Sequence, residues 1–169
     1  KETLLKQWSQ IEGVYIPSLF EPYDDDCGFQ KLKPSHSDYT HVTRTIVADL
    51  DQVPFPEKPI IPFGKPVHDR LRLEVARGCT RGCRFCQAGM IYRPVRERSP
   101  ESLLALCDQS VRSTGYEDIS LLSLSTGDYG CIVPLMERLM SRYATQNVAV
   151  SLPSLRAGTL TPELMKLVK

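Results

Sequence analysis

Residues 77–87 read RGCTRGCRFCQ and place three thiols, Cys79, Cys83 and Cys86, within eight residues in the pattern C-x3-C-x2-C. Thiolates are the soft donors that hold zinc and iron–sulfur clusters. A structural zinc site takes four ligands, and most iron–sulfur clusters also have four cysteines. Here the local count stops at three. A cuboidal cluster held by three cysteines has one iron without a protein ligand, and that iron can take a small molecule through an amine and a carboxylate. Two other readings stay open: a zinc site completed by Cys27 or a histidine, and cysteines buried for packing alone. The sequence has six cysteines in all. An even count suggests disulfides chiefly in small secreted chains, whereas three clustered thiols favour a metal site in a reducing compartment. Cys107 falls on the apolar face of an expected helix, where a small hydrophobe fits. Cys131 begins another helix, and Cys27 sits in an acidic stretch. His36, His41 and His68 show no ligand spacing.

The elements that must position this loop begin at residue 71. Leu71 to Ala76 reads as a short strand leading into the cysteines. Ser99, Pro100 and Glu101 then form a helix start: a capping residue, a proline at the first position and an acid near the positive end. Leu103, Leu104, Cys107 and Val111 share one face of that helix, and Gly115 ends it. Ile119 to Leu124 is a second strand. The turn Ser125-Thr126-Gly127-Asp128 leads to a second helix over 131–144, with Val133, Met136, Leu139, Met140 and Tyr143 inward. Pro134 is tolerated there because it lies in the first turn. Val148 to Leu152 is a third strand, and Thr161, Pro162 and Glu163 open a third helix. Strand then helix, three times over, predicts an α/β fold with a parallel sheet and right-handed crossovers. In such folds functional groups gather at the C-terminal ends of the strands. Cys79 follows the first strand, Asp128 the second, and Ser151, Ser154 and Arg156 the third, so three separate segments are expected on one face.

Upstream the rhythm differs. Residues 1–12 predict a short helix with Leu4, Leu5, Trp8 and Ile11 on one face and Gly13 at its end. Val14–Phe20 and Thr40–Leu50 read as extended runs of a hairpin, with an irregular loop between them holding Asp24, Asp25, Asp26 and Gly28. That acidic triplet fits no calcium-loop spacing and reads as a solvated loop tip. Pro54, Pro56, Pro59, Pro62 and Pro66 forbid helix and central strand alike, so residues 51–67 form an extended connector. The expected division is 1–70, a helix, hairpin and proline-rich connector from an upstream domain, and 71–169, the strand–helix units.

A C-x3-C-x2-C loop directly after a first strand, with an aromatic residue (Phe85) just before the third cysteine, resembles the signature of the radical S-adenosylmethionine (SAM) superfamily. The longer string GCTRGCRFCQAGMIYRPVRERSPE over 78–101, with Ala48–Asp51 and Pro54-Phe55-Pro56, is similar to its cobalamin-linked branch. More narrowly it resembles an uncharacterised bacterial family in which a cobalamin-type (B12-binding-like) domain precedes the barrel. The resemblance implies a fold: the first three units of a partial (β/α)6 TIM-like barrel. It also implies roles. Cys79, Cys83 and Cys86 would ligate a [4Fe-4S] cluster whose open iron takes the amine and carboxylate of SAM. Phe85 would sit beside the adenine. The superfamily's Gly-Gly-Glu-like turn, which holds the SAM amino group, corresponds to Thr126, Gly127 and Asp128, with Thr126 in place of a glycine and a shorter acid. Ser151 and Ser154 would contact the ribose or the carboxylate, and Arg156 would pair with the carboxylate. The implied reaction is reductive cleavage of SAM to a 5′-deoxyadenosyl radical that abstracts hydrogen from a substrate. That substrate is unknown, RNA modification and methyl transfer being among the outcomes. The implied partner is an electron donor such as flavodoxin or ferredoxin. Cobalamin would belong to the full-length protein, since its domain would lie upstream of Lys1. The reading from a different class is a zinc-stabilised, non-catalytic binding module.

Whole-chain properties set bounds. The 169 residues are 41% apolar and 24% charged, the mix of a globular protein, and the net charge of +1 points to no bulk electrostatic attraction to nucleic acid or membrane. Arginines 72, 77, 81, 84, 93, 96 and 98 nevertheless crowd the cysteine region, opposed there by Glu74 and Glu97. A cationic surround makes an anionic cluster easier to reduce, and the same arginines could meet an RNA backbone. No run approaches a membrane span and no signal peptide opens the chain, so a cytoplasmic protein is expected. The absence of an initiator Met and of a stop signal after Thr161 predicts an excised piece of a longer polypeptide.

Overall fold

A computed structural model describes residues 2–168; Lys1 and Lys169, at the ends of the first and last expected helices, lie outside the described residues. The chain sorts into two compact units, Lys1–Val47 and Ala48–Lys169.

In the first unit α1 spans Glu2–Trp8 and buries none of its side chains. It is shorter than the helix expected to Glu12. Leu4 and Trp8 are exposed, so no burial favours further turns, and Ser9 Oγ instead donates to the Lys6 carbonyl at 2.9 Å. The hairpin is also displaced from its expected position. β1 (Phe20–Asp24) and β2 (Gln30–Pro34) pair antiparallel, from Phe20 opposite Pro34 to Asp24 opposite Gln30. Apart from Phe20, the last residue of the first expected run, both lie within the segment expected to be irregular, whereas 41–47 holds no strand. The cause lies in the turn. The Asp25 carboxylate accepts from the Cys27 and Phe29 amides, each at 2.9 Å, and pairs with Lys31 at 2.8 Å. One aspartate thereby folds the chain back on itself. Tyr39 is buried here, its hydroxyl donating to the Val14 carbonyl at 2.5 Å and accepting from the Ile16 amide at 3.2 Å.

In the second unit the proline-rich stretch 51–67 holds neither helix nor strand. The strand expected over 71–76 is split. β3 (Leu71–Glu74) and β4 (Ala76–Arg77) flank Val75, where the chain changes partner. The Val75 amide donates to the Leu122 carbonyl at 3.0 Å, and the Val75 carbonyl accepts from the Arg98 amide at 2.9 Å. After β4 come a one-turn helix α2 (Ala88–Ile91) and β5 (Arg96–Glu97), which pairs antiparallel with β4. Neither was expected. α3 (Pro100–Thr114) starts on Ser99, whose hydroxyl accepts from the Ser102 amide at 3.2 Å, and ends on Gly115 in the left-handed region. β6 (Asp118–Leu122), α4 (Ile132–Tyr143), β7 (Ala149–Ser151) and α5 (Pro162–Leu167) follow. Thr161 caps α5 by accepting from the Leu164 amide at 3.2 Å.

The fold is mixed α/β. Strands β3, β6 and β7 form a parallel sheet in that order, Leu71 opposite Ile119 and Ile119 opposite Val150. The central strand β6 is buried over Ile119, Ser120 and Leu121, as a parallel strand covered on both faces must be. One core joins Leu71, Leu73 and Val75 to Leu103, Leu104 and Cys107 of α3, to Leu135, Met136 and Leu139 of α4, and to Leu164 of α5. The Tyr143 hydroxyl donates to Asp108 at 2.6 Å and ties α4 to α3. Among the described residues no helix is long and apolar enough to cross a membrane.

Candidate metal centre

The cysteine loop is closed at its base by the β4–β5 ladder, Ala76 opposite Glu97 and Arg77 opposite Arg96. The next residue, Gly78, has φ +90°, and a Cβ there would run into the carbonyl oxygens of Tyr92 and Pro94. Only glycine fits that approach. It lets the Cys79 amide donate to the Tyr92 carbonyl at 3.1 Å, a second tie across the base. Further along, the Cys86 amide donates to the Cys83 carbonyl at 3.0 Å, so these two cysteines share one turn. Arg93 Nε donates to the carbonyl of buried Gly89 at 2.7 Å and holds α2 against the returning strand.

Across from the loop, the chain leaving β6 forms a 3-10 turn over Thr126–Asp128. Thr126 is fully buried, its hydroxyl 3.1 Å from that of Ser123 and its amide donating to the Ser154 carbonyl at 3.3 Å. A Cβ on Gly127 would overlap the side chain of Thr159. This glycine therefore serves close packing rather than turn flexibility. Asp128 is held by three donors. Arg81 Nε reaches its Oδ2 at 2.8 Å, Arg81 Nη2 reaches its Oδ1, and Ser125 Oγ donates to Oδ2 at 2.7 Å. The Arg81 guanidinium holds the Asp128 carboxyl below its usual range; burial pulls the other way, and the Ser125 hydroxyl and the charge of Arg156 add to the lowering.

A cavity of about 460 Å³ opens between loop and turn, with Cys79, Arg81, Glu97, Ser123, Ser125 and Asp128 in its walls. The structure thus brings Cys79 and Asp128 together from the ends of two strands. Cys83, Phe85 and Cys86 do not line this cavity, and Phe85 is almost fully exposed. Ser151 Oγ donates to the Ile119 carbonyl at 3.3 Å. Ser154 is exposed with φ +59°. Arg156 is exposed, its charge felt at Asp128.

As donors the three cysteines fit a three-thiolate ligand set: they are free thiols, none fully buried, on one loop. Their positions are another matter. Among the described residues no group of three or more His, Cys, Asp or Glu stands gathered as a metal would need.

Sequence reasoning did not pair Arg81 with Asp128: it counted Arg81 among the arginines that crowd the cysteine region and placed Asp128 in the turn after the second strand. It also left out Ser125 as the carboxylate's second support, and Glu97, whose Oε1 accepts from the Gly130 amide at 3.0 Å. Tyr129 was missed too; its buried hydroxyl donates to the Arg98 carbonyl at 2.8 Å and ties the turn to the residue that follows β5.

No family model matches the chain. The chain is similar to an uncharacterised protein of Methanocaldococcus jannaschii, 40% identical over 97 residues, which are 57% of this chain and 21% of that protein. The matched part thus spans about a fifth of that relative's length.

Proposed function

We propose that the chain carries the cluster-binding part of a radical SAM enzyme. The observation that carries the reading is the shared cavity: Cys79, two residues beyond β4, and Asp128, in the turn that follows the parallel strand β6, face one space. Functional groups of parallel strand–helix folds collect at this place. When bound, a [4Fe-4S] cluster and SAM supply one-electron cleavage of a carbon–sulfur bond, giving methionine and a 5′-deoxyadenosyl radical that takes hydrogen from a substrate carbon.

The residues of this chain supply binding and orientation. Cys79, Cys83 and Cys86 would hold the iron. Asp128, ionised by its contact with Arg81, would accept from the SAM ammonium, as the family resemblance assigns to this turn. Arg156 would meet the carboxylate, and exposed Phe85 offers a ring face for the adenine. Thr126 and Gly127 would act through the backbone, because the hydroxyl of one is engaged with Ser123 and the Cα of the other is packed on Thr159. Ser151 and Ser154 would offer hydroxyls toward ribose, Ser151 by giving up its bond to the Ile119 carbonyl. In this reading the three-stranded sheet is the first part of a (β/α)6 barrel, and the electron donor is a small electron-transfer protein such as flavodoxin or ferredoxin.

Anaerobic reconstitution with iron and sulfide tests the proposal. The expected result is a four-iron cluster whose EPR spectrum changes on adding SAM and which is lost when Cys79, Cys83 and Cys86 become alanine. Stoichiometric zinc that iron cannot replace would sink the radical reading in favour of a zinc-stabilised binding module.

A further inference from the structure

Arg81, Glu97 and Asp128 are the charged side chains in the walls of the cavity between the cysteine loop and the Thr126–Asp128 turn. Arg81 and Asp128 pair with each other, so their charges cancel. Among the described residues Glu97 has no ion-pair partner, which leaves one negative charge in the wall unanswered. Glu97 is nevertheless held in place. It lies on β5 opposite Ala76, and its Oε1 accepts from the Gly130 amide at 3.0 Å. The next residue repeats the tie, the Arg98 carbonyl accepting from the Tyr129 hydroxyl. A Cβ on Gly130 would stand 3.0 Å from Glu97 Oε2, so the bare glycine lets the carboxylate lie against the backbone two residues past Asp128. Oε2 takes no hydrogen bond from any described residue.

Asp128 has little accepting capacity left. An ionised carboxylate offers about four lone-pair sites. Asp128 gives two to Arg81 and one to Ser125, so about one remains. The SAM amino group brings three N–H donors when free and two when its nitrogen ligates iron, more than Asp128 can accept in either case. A donor left unmet in a site closed to water weakens binding. We propose that Glu97 is the second acceptor for the amino group of SAM, sharing it with Asp128 across the cavity they both line. This rests on the reading of the cavity as a SAM site. The amino group is then gripped by two separate segments, the turn after β6 and the strand that returns from the cysteine loop.

The test measures equilibrium binding to the cluster-reconstituted protein by anaerobic calorimetry, with SAM, S-adenosylhomocysteine and 5′-methylthioadenosine as ligands. The first two carry the amino group, and the third lacks the whole amino-acid part. Glu97→Gln keeps an oxygen for the Gly130 amide and removes the charge, and circular dichroism confirms that the variant is folded. The expected result is that SAM and S-adenosylhomocysteine each bind about tenfold more weakly, the scale of one charged hydrogen bond, while 5′-methylthioadenosine binds as to wild type. Gly130→Ala, which crowds Oε2 and leaves residue 97 intact, weakens the same two ligands. Unchanged SAM binding in Glu97→Gln would overturn the second acceptor. An equal loss for all three ligands would overturn it too, because it marks a change in cavity shape. A loss for SAM alone would do the same, because it puts Glu97 at the sulfonium. If the wild type takes up no cluster, or binds neither SAM nor S-adenosylhomocysteine, the radical SAM reading fails and the role of Glu97 with it. Wild-type SAM binding that ignores the Glu97 variant defeats the role of Glu97 alone.

Discussion

Asp128 is the residue on which charge and position meet. Its carboxyl lies below the ordinary 3.8 because the Arg81 guanidinium bonds the ionised form, an effect that burial opposes and the Ser125 hydroxyl reinforces. A depressed carboxyl pKa adds stability that is fully present above the unfolded-state value and is lost as pH falls through the folded-state value. Thermal melts of wild type and Asp128→Asn should therefore differ at neutral pH, with wild type the more stable. The gap should begin to close below about pH 4 and vanish in stronger acid. Because the Arg81 side chain is half exposed, at 51%, added salt should narrow the gap at pH 7 as well. A gap that widens on acidification would show that Asp128 is protonated in the folded protein, contrary to the geometry. The residue types of this site were legible in the sequence: three cysteines at metal-binding spacing and an acid at a strand end. The salt bridge was not, because Arg81 and Asp128 are separated by 47 positions and only the folded chain decides which arginine of a crowded set faces the acid.

At the scale of elements, legibility followed the strength of local signals. α3, α4 and α5 could be read because an apolar face at helical spacing coincided with punctuation, Ser99-Pro100 and Gly115 for α3, Thr161-Pro162 for α5. β1 and β2 escaped because both are almost wholly exposed, so no alternation of apolar and polar residues marks them. The β4–β5 ladder escaped for another reason: each strand is two residues long, and Val75 changes partner inside what reads as one continuous strand, Leu71 to Ala76. That small ladder defines the cysteine loop, and Gly78 is its least replaceable member. Gly78→Ala would place a Cβ against two backbone carbonyls at φ +90°. The expected cost is roughly 2–4 kcal/mol from left-handed strain and displaced backbone. Urea unfolding would measure it, and a loss under about 0.5 kcal/mol, the scale of an ordinary surface substitution, would show that the loop base yields without strain.

The whole chain is two units of very different substance. Of the buried apolar side chains, Ile16 and Tyr39 belong to Lys1–Val47, while the continuous core of sheet and helices lies in Ala48–Lys169. Burial of apolar area is the main term that offsets chain entropy, so the first unit should open at lower denaturant than the second. The sequence provides separate reporters for the two. Its single tryptophan, Trp8, lies on α1 in the first unit, whereas the long helices α3 and α4, which dominate far-ultraviolet circular dichroism, lie in the second. Urea titration followed by both probes should give two midpoints, fluorescence first. Changing Leu121, fully buried on β6, to alanine should pull the dichroism midpoint down and leave the fluorescence midpoint in place. Coincident transitions that move together in that variant would mean that the chain folds as one cooperative body. The cysteine loop and the hairpin would then share a single stability, and a ligand bound at the loop would protect both alike.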